Sequence, residues 1–537
     1  MIIGKRRLDL GVWMGSAAGS TIAPLTPTAF LERCSSVFAD KVAVIDGDER
    51  FTYREFADRS RRLAWAIREA GVAVGDRVAA LCVNSHVMLE MHNGVPGSGA
   101  VLVPLNIRLA KGELAEILEH CGASLLVADV ECAELAGEIS ASVGVRFVVA
   151  GGPASEYEQL LAGAVAMPFS SVEETDLLAI NYTSGSTGRP KGVMYNHRGA
   201  YLQSLAMAFH LNLNVDSSYL WTLPMFHCDG WCHTWAVTAA GAVHVCVRRI
   251  DPPRVWSTIS SGTVSHLAAA PTVLNMIAAA ATRSVDPPPS RSVLAATGGA
   301  PPTPAMLDRL APLNISVVHL YGLTETYGPS VINEKRRAWS DEPREVQLAL
   351  NARQGVGNVV TGGVRVVDVE GNEVPSDGQS VGEITIMGNN VMVGYYRDEE
   401  ATASALRGGW LHTGDLAVRH PDGYIEMHDR AKDIVITGGE NVSSLEIERL
   451  ICEHPSVLEA AVVARPDDRW GEVPVAVVTL RDGTSSSEIE IIEFVRSRAA
   501  HFKAPKVVYF AEIPKTSTGK VQKNLLRDWV RSKARDA

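Results

Sequence analysis

Strand-length runs of Ala, Val and Leu alternate with helix-length amphipathic ones, and this alternation limits the fold more than any other feature of the chain. Residues 77 to 83 are followed by 85 to 98, then 101 to 105, 111 to 121 and 124 to 128. Strand and helix in turn predict α/β layering with mainly parallel strands, since a parallel pair needs a crossover long enough to hold a helix. Residues 177 to 182 (LLAINY) read as a strand, the Ser/Thr/Gly stretch after them as a loop, and a helix as starting near His197. Farther on, 364 to 368, 383 to 387 and 424 to 427 are short β segments separated by GW and DG turns, which predict an antiparallel β appendage.

Beyond Arg430 the pattern changes. Residues 433 to 437 read as a strand, and Ser443-Ser444-Leu445-Glu446 is a capping-box sequence opening a helix that Pro455 stops. Strands at 460 to 464 and 473 to 480, a helix at 487 to 500, a strand at 507 to 511, the loop PKTSTGK and an amphipathic helix follow. The expected fold is therefore α/β: a large N-terminal domain of layered sheets with a β appendage over 1–430, and a small mobile C-terminal α+β domain over 431–537.

At 537 residues, with 46% apolar and 21% charged side chains, the chain is globular rather than disordered. Acidic residues outnumber basic ones by 61 to 50 and no Lys/Arg block stands out, which argues against nucleic acid as a partner. Eight scattered cysteines suit reduced thiols in a cytoplasmic protein. No run reaches the roughly 18 to 20 uninterrupted apolar residues of a membrane span, so no integral membrane segment is expected. The N-terminus starts basic, but Asp9 interrupts a weak apolar stretch, and it reads as an arm rather than a leader. Nothing decides the oligomeric state; a homodimer stays open.

The densest chemical signal is Tyr182-Thr183-Ser184-Gly185-Ser186-Thr187-Gly188-Arg189-Pro190-Lys191-Gly192. Its glycines permit close backbone approach to an anion, its four hydroxyls donate, and Lys191 adds charge, a set suited to phosphate. The spacing is not that of a Walker loop, which needs G-x-x-x-x-G-K-[ST]. With PMFHCDGW at 224 to 231, TGGAPP at 297 to 302, YGLTET at 321 to 326, GWLHTGD at 409 to 415, DRAKDIVITGGENVSSLEIE at 429 to 448 and PKTSTGKVQK at 514 to 523, in that order, the chain resembles the adenylate-forming superfamily over nearly its whole length. Within it the likeness is to acyl-CoA ligases acting on medium-chain, aryl or other hydrophobic acids.

The resemblance implies two steps: a carboxylate attacks the α-phosphate of ATP to give an acyl-adenylate and pyrophosphate, then coenzyme A displaces AMP. It implies ATP, Mg²⁺ and coenzyme A, with Lys191 and Lys520 as the cations that bring the anions together and Glu325 as the metal ligand. It places Tyr321 and Gly322 at the adenine, Thr324 at the α-phosphate, Asp415 on the ribose hydroxyls with Arg430 beside it, and Gly299, Ala300 and Pro301 along the nucleotide and acyl group. His227 stands at the junction of acyl pocket and nucleotide, with Asp229, Gly230 and Trp231 (and Trp235, for which core packing is nearly as good a reading) as pocket wall. Asp229 departs from the Asn common in similar ligases, an acid where an apolar substrate is expected. Lys432 matches the hinge, and Gly438 and Gly439 the path of the pantetheine arm. An acceptor other than coenzyme A, whether amine or carrier protein, or a single half-reaction beside a partner enzyme, is the alternative; a non-catalytic adenylate binder has no use for a lysine such as Lys520.

His227, Cys228, Cys232 and His233 form a dense set of metal-ligand types, but the spacing lacks a second ligand pair, and structural zinc is not expected.

Overall fold

The computed structural model describes residues 23–152, 155–184, 190–467, 469–481, 483–516 and 520–536. The N-terminal arm over 1–22 and Gly185, Ser186, Thr187 and Gly188 of the Ser/Thr/Gly string lie outside the described residues.

Two large sheets face each other across a layer of helices. One has seven strands in the order Gly394–Tyr395, Pro190–Asn196, Leu177–Ser184, Val101–Pro104, Arg77–Leu81, Ala123–Asp129 and Arg146–Ala150. The other has nine, with His266–Ala269 at its centre and Val293–Thr297 between it and Ile315–Leu323. The middle strands of both pair in parallel. The helix Tyr53–Glu69 lies between the sheets: Thr52 caps it in a reciprocal capping box with Glu55, and Phe56, Leu63 and Ile67 recur along its buried side. The helix His86–Gly97 is buried at every position, as befits an element with helix or sheet on all sides. A single apolar cluster joins Val78 and Leu102 of one sheet to Val44 and Tyr219 of the other through Phe56, Met88 and Met207 of the helices. Separate clusters around Leu274 and Ile277, and around Leu114 and Ile117, cover the outer faces.

One expectation is corrected. The Ser/Thr/Gly string does not lead from a strand into a helix. A second strand, Pro190–Asn196, returns antiparallel to Leu177–Ser184 before the helix His197–His210, so the described ends of the string are paired strands, with Thr183 opposite Lys191. Its Pro190 is the first residue of the strand, where a missing N–H disrupts least.

The four antiparallel strands Thr361–Val367, Val381–Gly388, Leu411–Arg419 and Ile425–Arg430 form the β appendage. After Arg430, strands Val435–Thr437, Glu440–Val442, Val457–Asp467, Gly471–Leu480 and Val507–Phe510 make a further sheet with apolar clusters of their own on its two faces, around Ile447 and Val462 and around Val463 and Leu526. Gly438 and Gly439, both at positive φ (61° and 86°), make the two-residue turn of the hairpin Val435–Val442, a geometry that glycine adopts without strain.

Candidate active site

Loops at the carboxyl ends of the sheet strands build the site, the place where open α/β sheets leave a crevice. The hairpin after Leu177–Ser184 contributes Lys191, the loop after Val293–Thr297 contributes Gly299, Ala300 and Pro301, and the turn after Ile315–Leu323 contributes Thr324 and Glu325. Gly299 and Ala300 are exposed, and a Cβ at Gly299 would meet nothing within 4 Å, so the backbone there borders open space. Gly322 is the opposite case: a Cβ would sit 2.0 Å from the carbonyl oxygen of Gly328, and only glycine lets the turn double back.

Thr324 is fixed from two sides. Its carbonyl accepts the Tyr195 hydroxyl at 2.6 Å, and its Oγ1 accepts from Cys228 Sγ at 3.3 Å. Glu325 accepts the Tyr395 hydroxyl on Oε1 at 2.8 Å, while Lys191 Nζ stands 4.8 Å from the centre of the same Tyr395 ring. Tyr395 therefore links the phosphate-type lysine to the carboxylate proposed for the metal, a role no motif disclosed; the only sign was the Val-Gly-Tyr-Tyr stretch at 393 to 396.

Asp415 is buried at 1% exposure, opposite Arg430 in the antiparallel register of Leu411–Arg419 and Ile425–Arg430. Its Oδ1 meets Arg430 Nε at 3.1 Å and its Oδ2 accepts the Tyr321 hydroxyl at 2.8 Å. Each oxygen keeps a lone pair for a further donor, so the pair can still take a vicinal diol. Tyr321 itself packs with Val331, Ile384, Ile386 and Ile425, and 8% of its surface stays open.

Lys520 comes from beyond Arg430. Its loop is closed at the base by the Lys515–Val521 bridge and by Thr516, whose N–H donates to the Lys520 carbonyl at 2.7 Å and whose Oγ1 accepts the Lys520 N–H at 3.1 Å. Burial is the main reason its ammonium is pushed down to about 8; Arg430 and Lys432 add repulsion, and Asp415 and Glu325 offset part of it. Its charge is also felt by His227, whose imidazole burial first, and Lys520 second, push down to about 4, leaving the ring neutral at pH 7. Lys520, Arg430, Asp415, Glu325 and His227 thus share one locale. Lys432 is exposed, and its carbonyl accepts from Arg527 at 3.2 Å. Gly438 packs against Trp470, whose ring a Cβ there would approach to 3.0 Å.

The segment after His227 is a turn of left-handed helix. Cys228, Asp229, Gly230, Trp231 and Cys232 all have φ between 46° and 59°, and Cys232 N–H reaches back to the Cys228 carbonyl at 3.3 Å. Four of the five are not glycine, and each such residue costs about 1–2 kcal/mol in this region, so the surroundings must hold the turn. The Trp231 indole lies over Gly298 and Gly328, where a Cβ would come within 3.1 Å of it in either case. Trp235 is core: its indole N–H donates to the His92 carbonyl at 3.0 Å. Cys232 Sγ faces the Tyr327 carbonyl and His233 Nδ1 the Gly230 carbonyl, so these side chains do not converge with His227 and Cys228 on one point.

Among the described residues the one group of three metal-ligand side chains is elsewhere: Asp46, Glu49 and His86, with ligand atoms within 4.8 Å of one another. Asp46 already meets His86 Nδ1 at 2.8 Å and Arg248 at 2.9 Å, which puts a guanidinium where a cation would stand. All eight cysteines are free, and among the described residues no helix is long and apolar enough to cross a membrane.

The sequence matches the AMP-binding enzyme family over residues 31–396 and the AMP-binding enzyme C-terminal domain over 446–520. It is 41% identical to 4-hydroxybutyrate–CoA ligase 2 of Metallosphaera sedula over 96% of each chain. It is 40% identical to the peroxisomal acetate/butyrate–CoA ligase AAE7 of Arabidopsis thaliana over 94% of each. The fold superposes on ATP-bound MatB from Rhodopseudomonas palustris with a TM-score of 0.84 at 28% identity, covering 94% of this chain and 99% of that one. With the hairpin that bears Lys191, the Tyr321–Asp415–Arg430 set and Lys520 from beyond Arg430 on one chain, and with that chain matched along nearly all its length, this protein is a member of the AMP-binding enzyme family.

Proposed function

We propose that this chain is an ATP-dependent, AMP-forming acyl-CoA ligase of the cytoplasm, which joins a monocarboxylic acid to coenzyme A through an acyl-adenylate. The observation that carries the reading is the meeting of Lys520 with Asp415, Arg430 and Glu325. A lysine from beyond Arg430, set among residues suited to a nucleotide and its metal, is arranged to neutralise charge as two anions approach. In the first half-reaction an acid oxygen attacks the α-phosphorus and pyrophosphate leaves. Asp415, Arg430 and Tyr321 hold the nucleoside, Thr324 and the hydroxyls of Thr183, Ser184, Ser186 and Thr187 the phosphates, and Lys191 and Lys520 the accumulating negative charge. Neutral His227 sits where the carboxylate enters without adding a repelling or over-binding charge.

Glu325 suits Mg²⁺: it is one hard carboxylate, partly exposed and oriented by Tyr395, without the multi-ligand cage that would hold a metal in advance. When bound, the ion would neutralise triphosphate charge.

Residues 1–430 form the nucleotide and acyl domain and 431–537 a mobile unit. Between Arg430, the last residue of the β appendage, and Val435, the first of the next sheet, Lys432 is the hinge. Rotation there brings the Gly438–Gly439 turn to the site for thioester formation. The acyl group is apolar and compact, because Trp231 fills the space above Gly298 and Gly328; the named relatives act on acetate, butyrate and 4-hydroxybutyrate. A pyrophosphate-release assay with short-chain, medium-chain and aryl acids, with and without coenzyme A, tests this. The expected result is release dependent on one of these acids and thioester formed with coenzyme A; no release with any of them would overturn the reading.

A further inference from the structure

Asp229 is the most anomalous group in the site. It is wholly inaccessible, it sits second in the left-handed turn, and neither carboxyl oxygen has a hydrogen-bond partner. Its backbone is well held: the N–H donates to Asn181 Oδ1 at 3.2 Å, and the carbonyl accepts from Thr234 Oγ1 and from Cys232 N–H, both at 3.1 Å. The Asn181 amide lies beside the carboxyl, and its own Nδ2 is also buried without a partner. The titratable groups that feel the Asp229 charge are Tyr195 from the strand Pro190–Asn196, Tyr327 from the turn after Glu325, and Cys228 and Cys232 from its own turn. None is a cation. An ionised carboxylate with no cation beside it and no donor within full hydrogen-bond geometry is among the costliest groups to bury, whereas a neutral carboxylic acid carries one donor and one acceptor, much as an amide does. Burial accordingly pushes the carboxyl up to about 7, against the lowering effect of the Asn181 amide.

The turn reaches the reacting centre at both ends. His227 precedes it and its carbonyl accepts Gly230 N–H at 2.8 Å; Cys228 Sγ donates to Thr324 Oγ1; Cys232 Sγ faces the Tyr327 carbonyl. The turn is thus joined to His227 along the chain and to Thr324 through Cys228, so opening it to water would loosen the hold on both. We propose that Asp229 is a positioning residue that works as a neutral carboxylic acid: un-ionised, it can stay buried and leave the Cys228–Cys232 turn closed beside His227 and Thr324, and its ionisation disables acyl-adenylate formation. The nucleotide and acyl pockets do not use its carboxyl, which no ligand can touch in this arrangement.

The inference rests on the adenylation reading, and Lys520 also titrates at alkaline pH, so the test separates the two groups. Pyrophosphate release at saturating ATP, magnesium and acid is measured from pH 6 to 9 for the wild type, Asp229→Asn, Lys520→Ala and the double variant. In Lys520→Ala the remaining rate should fall with a midpoint near 7, by roughly thirtyfold between pH 6 and 8.5 for a single group. The double variant should lose that limb, because an amide does not ionise; a merely structural role would leave the shape of the profile unchanged. A flat Lys520→Ala profile would overturn the proposal even if Asp229→Asn failed to fold, and so would a double variant that kept the limb. Wild-type enzyme that releases no pyrophosphate with any acid refutes the adenylation reading itself.

Discussion

Replacing Lys520 by alanine should move activity and stability in opposite directions. In the folded chain the ammonium is buried beside Arg430 and Lys432, with Asp415 and Glu325 as partial compensation, and its pKa falls from the ordinary 10.5 to about 8. At about 1.4 kcal/mol for each tenfold change, holding that charge in place costs up to about 3 kcal/mol in the absence of nucleotide. The cost is fully present below pH 8, where the lysine is charged folded and unfolded alike. It fades as pH rises from 8 towards 10.5 and is gone above. Lys520→Ala without ligands should therefore be more stable than wild type at pH 7, by at most about 3 kcal/mol, with the gain vanishing above pH 10.5. A triphosphate and a carboxylate supply the counter-charge the site lacks, so the same substitution should lower acyl-adenylate formation by roughly 10² to 10³, the scale of losing one preorganised charge donor. Thioester formation from purified acyl-adenylate and coenzyme A should change only by about threefold or less, since the attacking thiol and the leaving AMP need no charge at Lys520. Denaturant unfolding at pH 7 and 10.5 gives the first quantity, and pyrophosphate release and stopped-flow thioester formation give the other two. Equal loss in both half-reactions, or a variant less stable than wild type at pH 7, would refute the reasoning.

The other predictions follow from the same site. Asp415→Asn keeps the shape but loses the charge that pairs with Arg430 and accepts from Tyr321; the KM for ATP should rise by roughly tenfold or more, the scale of 1.5–3 kcal/mol for a hydrogen bond to a charged group, and steady-state kinetics with varied ATP would show it. Lys432→Pro fixes φ near −65° at the hinge; adenylate formation should survive within about threefold while coenzyme A transfer collapses, the reverse of Lys520→Ala, and a Lys432→Pro enzyme that completes thioester formation at the normal rate would sink the hinge assignment.

The residues most legible in the sequence are those whose chemistry is local. Lys191, Thr324 and Glu325 sit in short strings at strand ends, and Asp415 in mid-strand within Leu411–Arg419, where hydroxyl, glycine and acid content is what a phosphate or a ribose would require. The alternation that predicted α/β layering was equally local, because a strand followed by a helix returns to the same sheet in parallel. The strand Pro190–Asn196 escaped because Pro, Lys and Gly at its start look like loop, and only pairing with Leu177–Ser184 makes it β. Tyr395 escaped for a related reason: it reaches Glu325 and Lys191 through an edge strand of two residues, which has no periodicity to read.

Asp229 shows the deeper limit. A left-handed turn at four non-glycine residues is disfavoured locally at every step, so no propensity rule can predict it, and only the packing of Trp231 over Gly298 and Gly328 and the anchoring of Cys228 and Cys232 hold it. Inside that turn, an acid that reads from sequence as a charge near the acyl group becomes a group no solvent reaches, set beside an asparagine amide. Burial is decided by residues distant in sequence, and burial decides whether a carboxyl is an ion or an acid. The same holds for Lys520, whose depressed ammonium depends on Arg430 and Lys432, about ninety positions earlier in the chain. Residue type is written in the chain; protonation state, and with it the pH at which this site can work, is a property of the fold.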